Sequence, residues 1–420
     1  MKGLNVLLIN KFLYPKGGSE TYFFKLGEYL ESQGHKVDYF GMHHEENIVF
    51  SSLNKYVSSV DFRGASLAKL LYPFKIIYSI EAKTKIREII METKPDIIHL
   101  NNFNFQITPS ILYEIKKFNI PVVMTLHDFQ LICPNHMLYL ETRKEICEKC
   151  RDGNYLNCIK NKCIHNSIIK SFFAALEGFL YYKLKTYTKN IDFFVAPSIF
   201  IRDKVIEFGL AKEKIVTLHN FVTEAEGSAK GGKSDYVLYF GRLSIQKGIG
   251  TLIEACNRLP YIKFIFAGGG ELEGELSKVR NIQYVGFKKG EELEKLINGS
   301  LFSVCPSEWY ENCPMSVLES QMNGTPVIGA AVGGIPELIN DGYDGLLYKA
   351  GNVNDLVEKI EYLYNNRDIL ESFSLQCKKK VTEEFSISNY YLELMKIYKR
   401  AIYKHVTAPE RGAENESIIV

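Results

Sequence analysis

The sequence lacks an excess of charge of either sign. Its 420 residues include 51 lysines and arginines against 49 aspartates and glutamates, a formal net charge of +2. Proteins that bind nucleic acids carry a clear positive excess, because contacts to phosphates dominate their affinity. The near balance therefore argues against a nucleic-acid partner.

Long hydrophobic runs are also missing. The apolar run nearest the N-terminus is VLLI, at residues 6–9, which is shorter than the core of a signal peptide. No run reaches the roughly 18 residues that a membrane-spanning helix requires. We therefore expect a cytoplasmic protein, either free in the cytoplasm or at the inner face of the membrane. In that compartment its nine cysteines stay reduced.

Short apolar segments alternate with helical segments along most of the chain. Continuous apolar runs of this kind are typical of parallel strands that are covered on both faces. The helical segments between them indicate βαβ units, and the length suits more than one core. The predicted strands are 5–10, 37–42, 96–102, 121–128, 192–198, 214–220, 236–241, 262–268, 281–287, 301–307, 325–331 and 345–349.

A change of composition divides this series into two α/β domains, each with a doubly wound, Rossmann-like sheet. The segment TEAEGSAKGGKSD, at residues 223–235, is polar and rich in glycine and serine, as linkers are. We predict a first domain at 1–220, a linker at 221–235 and a second domain at 236–382. A C-terminal helix at 383–405, which we expect to cross back to the first domain, and a disordered tail at 406–420 follow. Ligands of such sheets bind beyond the carboxyl ends of the strands, so the cleft between the domains is the expected site.

Three segments of the second domain carry candidate binding residues. In FGRLSIQKG, at 240–248, Arg242 and Lys247 follow a strand. The planar guanidinium of the arginine and the point charge of the lysine together suit a diphosphate. FAGGGE, at 266–271, has three glycines where a ligand can approach the backbone. In SEWYENCPMSVLE, at 307–319, Glu311 precedes a helix start and Glu319 lies inside the helix.

The start of that helix is itself an expected anion site, because its first N–H groups have no partner within the helix. Pro314 fits the first turn, which places Asn312 or Cys313 near the cap. In the first domain, Lys16-Gly17-Gly18-Ser19 follows a strand and precedes a helix in the same way.

Taken together, these segments resemble the retaining glycosyltransferases of family 4, which have the GT-B fold. The resemblance covers nearly the whole chain and is strongest at 236–349. It implies that Arg242 and Lys247 bind the donor diphosphate and that Glu311 contacts hydroxyls of the transferred sugar. It also implies that Glu319 holds the ribose and that His127 lies near the donor sugar. The other positions that it assigns to the donor are Gly17, Gly18, Gly269, Gly270, Asn312, Cys313, Pro314, Met315, Val317 and Leu318.

The resemblance implies that the second domain binds a nucleotide sugar and the first domain the acceptor. The substrates would be a UDP- or GDP-sugar and a glycan or lipid-linked acceptor, in the assembly of a cell-surface polysaccharide such as lipopolysaccharide or capsule. Transfer of a hexose with retention would need no catalytic metal, and the Asp-x-Asp metal motif is absent. Basic groups and the helix start would neutralise the phosphates instead.

The segment ICEKCRDGNYLNCIKNKCIHNS, at 146–167, is not explained by the family. It contains Cys147, Cys150, Cys158 and Cys163, with the first two as Cys-x-x-Cys. Such a set predicts a structural zinc ion that fixes a long loop on the acceptor side, with ordinary reduced thiols and a redox or iron–sulfur role as the alternatives.

Two segments, 66–85 and 168–189, mix aromatic, aliphatic and lysine side chains. Basic amphipathic helices of this kind can lie on anionic membranes, although helices packed on the sheet give the same pattern.

Other functions remain open at this stage. A GT-B epimerase or phosphorylase-like enzyme fits the same fold, and a non-catalytic nucleotide-sugar-binding scaffold fits the same residues. A nicotinamide dehydrogenase is disfavoured, because the first strand is not followed by the three-glycine fingerprint.

Overall fold

We describe a computed structural model of the protein at residues 3–58, 75–223 and 232–407. Two six-stranded parallel sheets dominate the described residues, with the orders β2-β1-β3-β4-β7-β8 and β11-β10-β9-β12-β13-β14. A short antiparallel hairpin, β5-β6, lies directly before the cysteine-rich segment. The predicted fold class, two doubly wound α/β domains, is confirmed.

The strands of the first sheet and the hairpin are β1 (Asn5–Ile9), β2 (Lys36–Phe40), β3 (Ile97–Leu100), β4 (Val122–Thr125), β5 (Tyr139–Leu140), β6 (Glu145–Ile146), β7 (Phe193–Ala196) and β8 (Ile215–Thr217). The strands of the second sheet are β9 (Val237–Phe240), β10 (Phe264–Ala267), β11 (Ile282–Tyr284), β12 (Phe302–Cys305), β13 (Val327–Ala330) and β14 (Gly345–Tyr348).

The helices of the first domain are α1 (Gly18–Ser32), α2 (Ile80–Thr93), α3 (Ser110–Ile115), α4 (Leu156–Lys160), α5 (Ile168–Lys183), α6 (Thr186–Asn190) and α7 (Ile199–Glu207). Those that follow are α8 (Ile249–Arg258), α9 (Glu273–Leu276), α10 (Gly290–Gly299), α11 (Met315–Met322), α12 (Val353–Asn365), α13 (Arg367–Glu384) and α14 (Ile387–Thr407). None of the helices in the described part of the chain is long and apolar enough to cross a membrane.

Most inner strands are buried along their whole length, as continuous apolar runs predict, and β1 is buried after Asn5. Every residue of β3, β4 and β7 is buried, and the same holds for β9, β10, β12 and β13. Helices cover both faces of each sheet, so side chains from both faces enter a core. The burial of these runs is what makes the strand positions readable from the sequence.

The last helix, α14, returns to the first domain. The Tyr22 and Tyr390 hydroxyls are 2.5 Å apart, and the Tyr398 hydroxyl is 2.7 Å from His99 Nδ1. His99 is fully buried, and its Nε2 lies 2.8 Å from Thr125 Oγ1. His99 therefore joins the sheet to α14 and does not face the cleft, whereas the predicted return of the C-terminal helix is confirmed.

Three predictions fall wholly or partly outside the described residues. They are the centre of the linker at 224–231, most of the tail at 408–420, and the part of the apolar segment 66–85 that lies before residue 75.

Candidate active site

The candidate residues lie in loops that follow the carboxyl ends of the strands in both sheets. Gly17 and Gly18 stand after β1 at the start of α1, and Met315 opens α11 in the second domain. A β-carbon placed on Gly18 would lie 3.2 Å from Met315 Cγ. The glycine loop of one domain therefore touches the helix start of the other, and a side chain at Gly18 would have to displace the methionine.

Lys247 and Glu311 form an ion pair at the centre of this region. Lys247 Nζ donates to Glu311 Oε1 at 2.5 Å, and the same oxygen accepts from Ser307 Oγ at 2.6 Å and Trp309 Nε1 at 2.8 Å. Burial favours the neutral form of Glu311, but the charge of Lys247 and these hydrogen bonds outweigh it and lower the pKa. The carboxylate is therefore ionised and held in one orientation.

Two more cations, one from each domain, lie close enough to interact with each other. Arg242, which follows β9, is exposed and its guanidinium has no partner among the described residues. Burial lowers the pKa of Lys16 in the loop after β1, and the charges of Lys11 and Arg242 lower it further. Positive side chains that lie close enough to lower one another's pKa form a surface suited to a multiply charged anion.

The glycine-rich turn after β10 packs backbone against backbone. A β-carbon on Gly268 would lie 1.8 Å from the Gly241 carbonyl oxygen, and one on Gly270 would lie 2.3 Å from that of Leu243. Both glycines have positive φ, +152° and +157°. Gly269, by contrast, would only approach the Glu273 side chain, at 3.3 Å. The turn thus holds the Arg242 loop close to β10, which accounts for Gly270 without a ligand.

The helix after β12 begins one residue later than predicted. Pro314, in an extended conformation with ψ 118°, is the residue before α11 and does not belong to its first turn. Asn312 does not cap the helix, because its side chain is used elsewhere, as described below. Val317 and Leu318 are fully buried in the core, so neither residue exposes surface to a ligand in the cleft.

The Asn312 side chain joins the two domains. Its Oδ1 accepts from Ser198 Oγ at 2.8 Å, and its Nδ2 donates to the Leu126 carbonyl oxygen at 2.5 Å. The neighbouring Cys313 is buried, and its carbonyl oxygen accepts from Asn220 Nδ2 at 3.1 Å. Asn312 and Cys313, which are predicted to bind the sugar donor, therefore also link the two domains by hydrogen bonds.

Glu319 is partly buried on α11, and its carboxylate has no hydrogen-bond partner within the described residues. Desolvation by burial raises its pKa to about 7, and the charge of Glu294 adds to the effect. A carboxylate on the second turn of α11 that receives no hydrogen bond from the protein is available to accept hydrogen bonds from a ligand that carries hydroxyl groups.

His127 follows β4 and is held as a neutral imidazole. Its Nε2 lies 2.8 Å from Asn101 Oδ1, while Asn101 Nδ2 donates to the Ile9 carbonyl oxygen at 3.5 Å. Burial lowers the pKa of His127 to about 4, and the nearby Asp128 opposes that shift. Since Nε2 donates to the amide oxygen, Nδ1 is left as an acceptor. Asp128 itself accepts from the Gln130 amide at 2.8 Å and stands 3.6 Å from His136.

Sequence patterns missed several residues that shape the site. Trp309 is the only tryptophan in the chain and lies two residues before Glu311, a signal that could have drawn attention to it. Glu337 gave no such signal. It accepts from the Ile199 and Phe200 amides at the start of α7, at 2.6 and 2.7 Å, and from His219 Nε2 at 2.8 Å. Glu337 is therefore a cross-domain cap for α7.

The four predicted zinc ligands surround one small cavity together with a fifth thiol, Cys133, from the loop that follows His127. All of these cysteines are free thiols. In the described part of the chain, however, no group of three or more His, Cys, Asp or Glu side chains is arranged to hold a metal ion. The structure therefore brings Cys147, Cys150, Cys158 and Cys163 together without forming a coordination site, and zinc binding stays a prediction.

Two parallel-sheet domains facing a cleft, with basic groups and a helix start at their strand ends, define the GT-B class. The sequence profile of glycosyltransferase family 4 matches residues 16–226, half of the chain, and that of the group 1 glycosyl transferases matches 222–380. The chain belongs to glycosyltransferase family 4.

Relatives and solved structures agree with this assignment. A 42.6 kDa protein encoded in the cps region of Klebsiella pneumoniae is 26% identical over 354 residues, covering 80% of this chain and 87% of that protein. Sucrose-phosphate synthase from Thermosynechococcus elongatus superposes with a TM-score of 0.71 at 16% identity, covering 95% and 99% of the two chains. Anabaena HepE in complex with UDP and glucose gives 0.67 at 15% identity, covering 94% and 100%.

Proposed function

We propose that this protein is a retaining glycosyltransferase that moves a hexose from a nucleotide-diphosphate sugar to a hydroxyl group of a glycan or lipid-linked acceptor. The observation that carries the proposal is the Lys247–Glu311 ion pair at the strand ends, with the exposed Arg242 after β9 and a Glu319 carboxylate on α11 that has no hydrogen-bond partner within the described residues. Cations suit a diphosphate, one fixed carboxylate suits sugar hydroxyls, and one free carboxylate suits a ribose.

The proposed reaction uses this arrangement. The acceptor oxygen bonds to the anomeric carbon on the face from which the diphosphate leaves, while the bond from that carbon to the phosphate oxygen breaks. The acceptor proton passes to the departing phosphate oxygen, so no side-chain base is needed. Lys247 and Arg242 would offset the charge that grows on the phosphates, and the N–H groups at the start of α11 would add to this. Glu311 would hold the sugar in position, and His127 would accept a hydrogen bond from it through Nδ1.

The biological setting is part of the proposal. One relative is encoded in a cps region, and another, from Erwinia amylovora, is an amylovoran biosynthesis glycosyltransferase, 28% identical over 180 residues. We infer a role in polysaccharide assembly. UDP is the first candidate for the donor nucleotide, as in the HepE complexes, and GDP is the second.

Thermal unfolding in the presence of UDP, GDP, ADP or dTDP tests the donor assignment. A nucleotide at about a hundred times its dissociation constant adds roughly 2.7 kcal/mol to the free energy of unfolding and raises Tm measurably. We expect one nucleotide to stabilise the wild type and Glu371→Ala, an exposed position on α13, but not Glu319→Ala. No stabilisation by any nucleotide would contradict the proposal.

Retention is tested by NMR of the sugar that the enzyme slowly releases from its donor in water. We expect the α-anomer to appear first from an α-linked donor, before mutarotation. Initial release of the β-anomer would contradict the retaining mechanism.

A further inference from the structure

Helix α5 presents an apolar face to solvent, which we call the α5 face. Ile168, Ile169, Phe172 and Phe179 lie on it, and their side chains are 56%, 70%, 47% and 42% exposed. Positions 168 and 172 are about one turn apart, and positions 172 and 179 are about two turns apart, so all three lie on one side of the helix. Leu156 on α4, which is 65% exposed, and Leu184 just after α5, at 55%, extend the exposed apolar surface.

The opposite side of α5 is firmly packed, so this exposure is not that of a loose helix. Ala174 and Tyr181 are buried on that side. A β-carbon on Gly178 would contact Pro134 at 3.7 Å, in the loop that follows His127. The helix is therefore anchored to the side of the cleft where the proposed function places the acceptor.

Charge around this face has one sign. Residues 153–191 contain six lysines and a single acidic residue, Glu177. Glu177 is buried, and burial raises its pKa to about 8, which leaves the residue mainly uncharged at neutral pH. The six lysines are all exposed and form no ion pair within the described residues; they are Lys160, Lys162, Lys170, Lys183, Lys185 and Lys189. Lys183 lies 5.7 Å from the centre of the Phe179 ring.

We propose that the α5 face docks on the surface of an anionic lipid bilayer. Exposed isoleucine and phenylalanine side chains would enter the boundary of the acyl chains, and the flanking lysines would contact anionic headgroups. Their long methylene stems allow the charges to reach the headgroups while the apolar side chains are inserted.

Other occupants match this face less well. A second copy in a symmetric dimer would bring two sets of six lysines together. The segment 59–74 of this chain contains Asp61, Arg63 and Lys69, a net charge of +1, and cannot neutralise the lysines. A lipid surface supplies both the negative charge and the apolar interior. The further step, that the bilayer delivers a lipid-linked acceptor to the His127 side of the cleft, rests on the proposed function.

Vesicle flotation tests the proposal on the full chain. We expect the wild type to float with vesicles of phosphatidylcholine containing about 30% phosphatidylglycerol, and not with phosphatidylcholine alone. Binding should fall steeply between about 0.05 M and 0.5 M salt, because the lysine contacts are screened. Ile169→Glu/Phe172→Glu should reduce the floated fraction about tenfold. A wild type that stays unbound with both vesicles, or a double variant that floats as well as the wild type, would overturn the proposal.

A matched control places the same charges elsewhere. Leu375→Glu/Leu392→Glu changes two apolar side chains that are 70% and 59% exposed on α13 and α14, and should float like the wild type. Equal loss in both double variants would show a general charge effect and overturn the proposal. The nucleotide-dependent rise in Tm should be the same in the wild type and the Ile169→Glu/Phe172→Glu variant. Because flotation needs no nucleotide, its failure and that of the proposed function are distinguishable. A wild type that dimerises in light scattering and does not float, with a monomeric double variant, would assign the face to self-association instead.

Discussion

Lys247 Nζ and Glu311 Oε1 are 2.5 Å apart, and the carboxylate of this pair is almost wholly buried. Removing one member of a buried ion pair leaves the other charge without its partner. We expect Lys247→Met to lower the free energy of unfolding by about 3 kcal/mol. Lys247→Met/Glu311→Gln should cost clearly less than the sum of the two single changes. Urea denaturation of the four proteins measures this coupling.

Glu393→Gln is the control for that cycle. Glu393 pairs with Lys396 at 2.6 Å, but both side chains are more than half exposed, so the change should cost less than about 1 kcal/mol. For activity, Glu311→Gln should reduce kcat by about 10²- to 10³-fold, because a fixed charge beside the sugar is lost. Additive effects on stability, or full activity of Glu311→Gln, would contradict the paired role.

The raised pKa of Glu319 makes part of the stability dependent on pH. Ionisation is harder in the folded protein, where the pKa is about 7, than in the unfolded chain, where it is 4.5. Stability from the neutral form is therefore fully present below about pH 4.5 and is lost as the pH rises to 7. At pH 8, Glu319→Gln should be more stable than the wild type by about 1–2 kcal/mol, after allowance for its partial exposure.

Chemical denaturation of both proteins at pH 5 and pH 8 measures this difference. The advantage of Glu319→Gln should shrink at pH 5, where the wild-type carboxyl is neutral. A donor nucleotide that binds the ionised carboxylate should bind the wild type more tightly at pH 8 than at pH 6. An unchanged stability difference at the two pH values would show that Glu319 has an ordinary pKa.

The sequence allowed the sheets to be predicted because their strands are buried on both faces and therefore read as continuous apolar runs. The positions of Lys247, Glu311 and Glu319 followed from where those runs end. The start of α11 was misplaced by one residue, since the sequence does not show that Pro314 takes an extended ψ of 118°. Local sequence fixes such details less tightly than it fixes a buried strand.

Contacts between the domains were not predictable in the same way. The sequence places Asn312 near a helix cap, yet its side-chain amide forms hydrogen bonds with Ser198 and Leu126 of the other domain. Glu337 reads as a surface glutamate, yet it caps α7. Partners of this kind depend on the relative orientation of two separately folded sheets. No periodicity within one segment contains that information.

Glu337 is expected to hold the cleft closed. Burial disfavours its charged form, but the hydrogen bonds from His219 and from the Ile199 and Phe200 amides outweigh this and lower the pKa. Its contribution is therefore present above the ordinary carboxyl pKa of 4.5 and is lost as the pH falls through the lowered value. Glu337→Ala removes the acceptor for two amides at a helix start, which should cost about 1–2 kcal/mol.

Small-angle X-ray scattering at neutral pH compares the closure of the variants. Glu337→Ala should show a larger radius of gyration than the wild type, and nucleotide should reduce the difference by bridging the domains. Glu358→Ala, at an exposed position on α12, is the control and should scatter like the wild type. An identical radius of gyration for Glu337→Ala would show that other contacts, such as those of Asn312, suffice for closure.

The cysteine cluster gives a prediction about metal content. Zinc requires thiolates, and burial raises the pKa of Cys133 to about 11 and that of Cys150 still further. Around the shared cavity, small side-chain rotations would direct the thiols toward one ion, which would compensate for their deprotonation. We expect about one equivalent of zinc by mass spectrometry, with a tetrahedral all-sulfur or mostly sulfur ligand set.

Two ligand variants and one control make that prediction specific. Cys150→Ala and Cys158→Ala should each contain less than about a tenth of an equivalent and unfold at a lower temperature. Cys256→Ala, which removes a buried thiol from the second domain, should keep its zinc although it loses some packing. Acidification should release the metal, because protons compete for the thiolates. If the wild type is free of zinc and chelators leave its Tm unchanged, the five thiols only fill the interior of the loop, and the anchoring of α5 to the His127 side depends on packing alone.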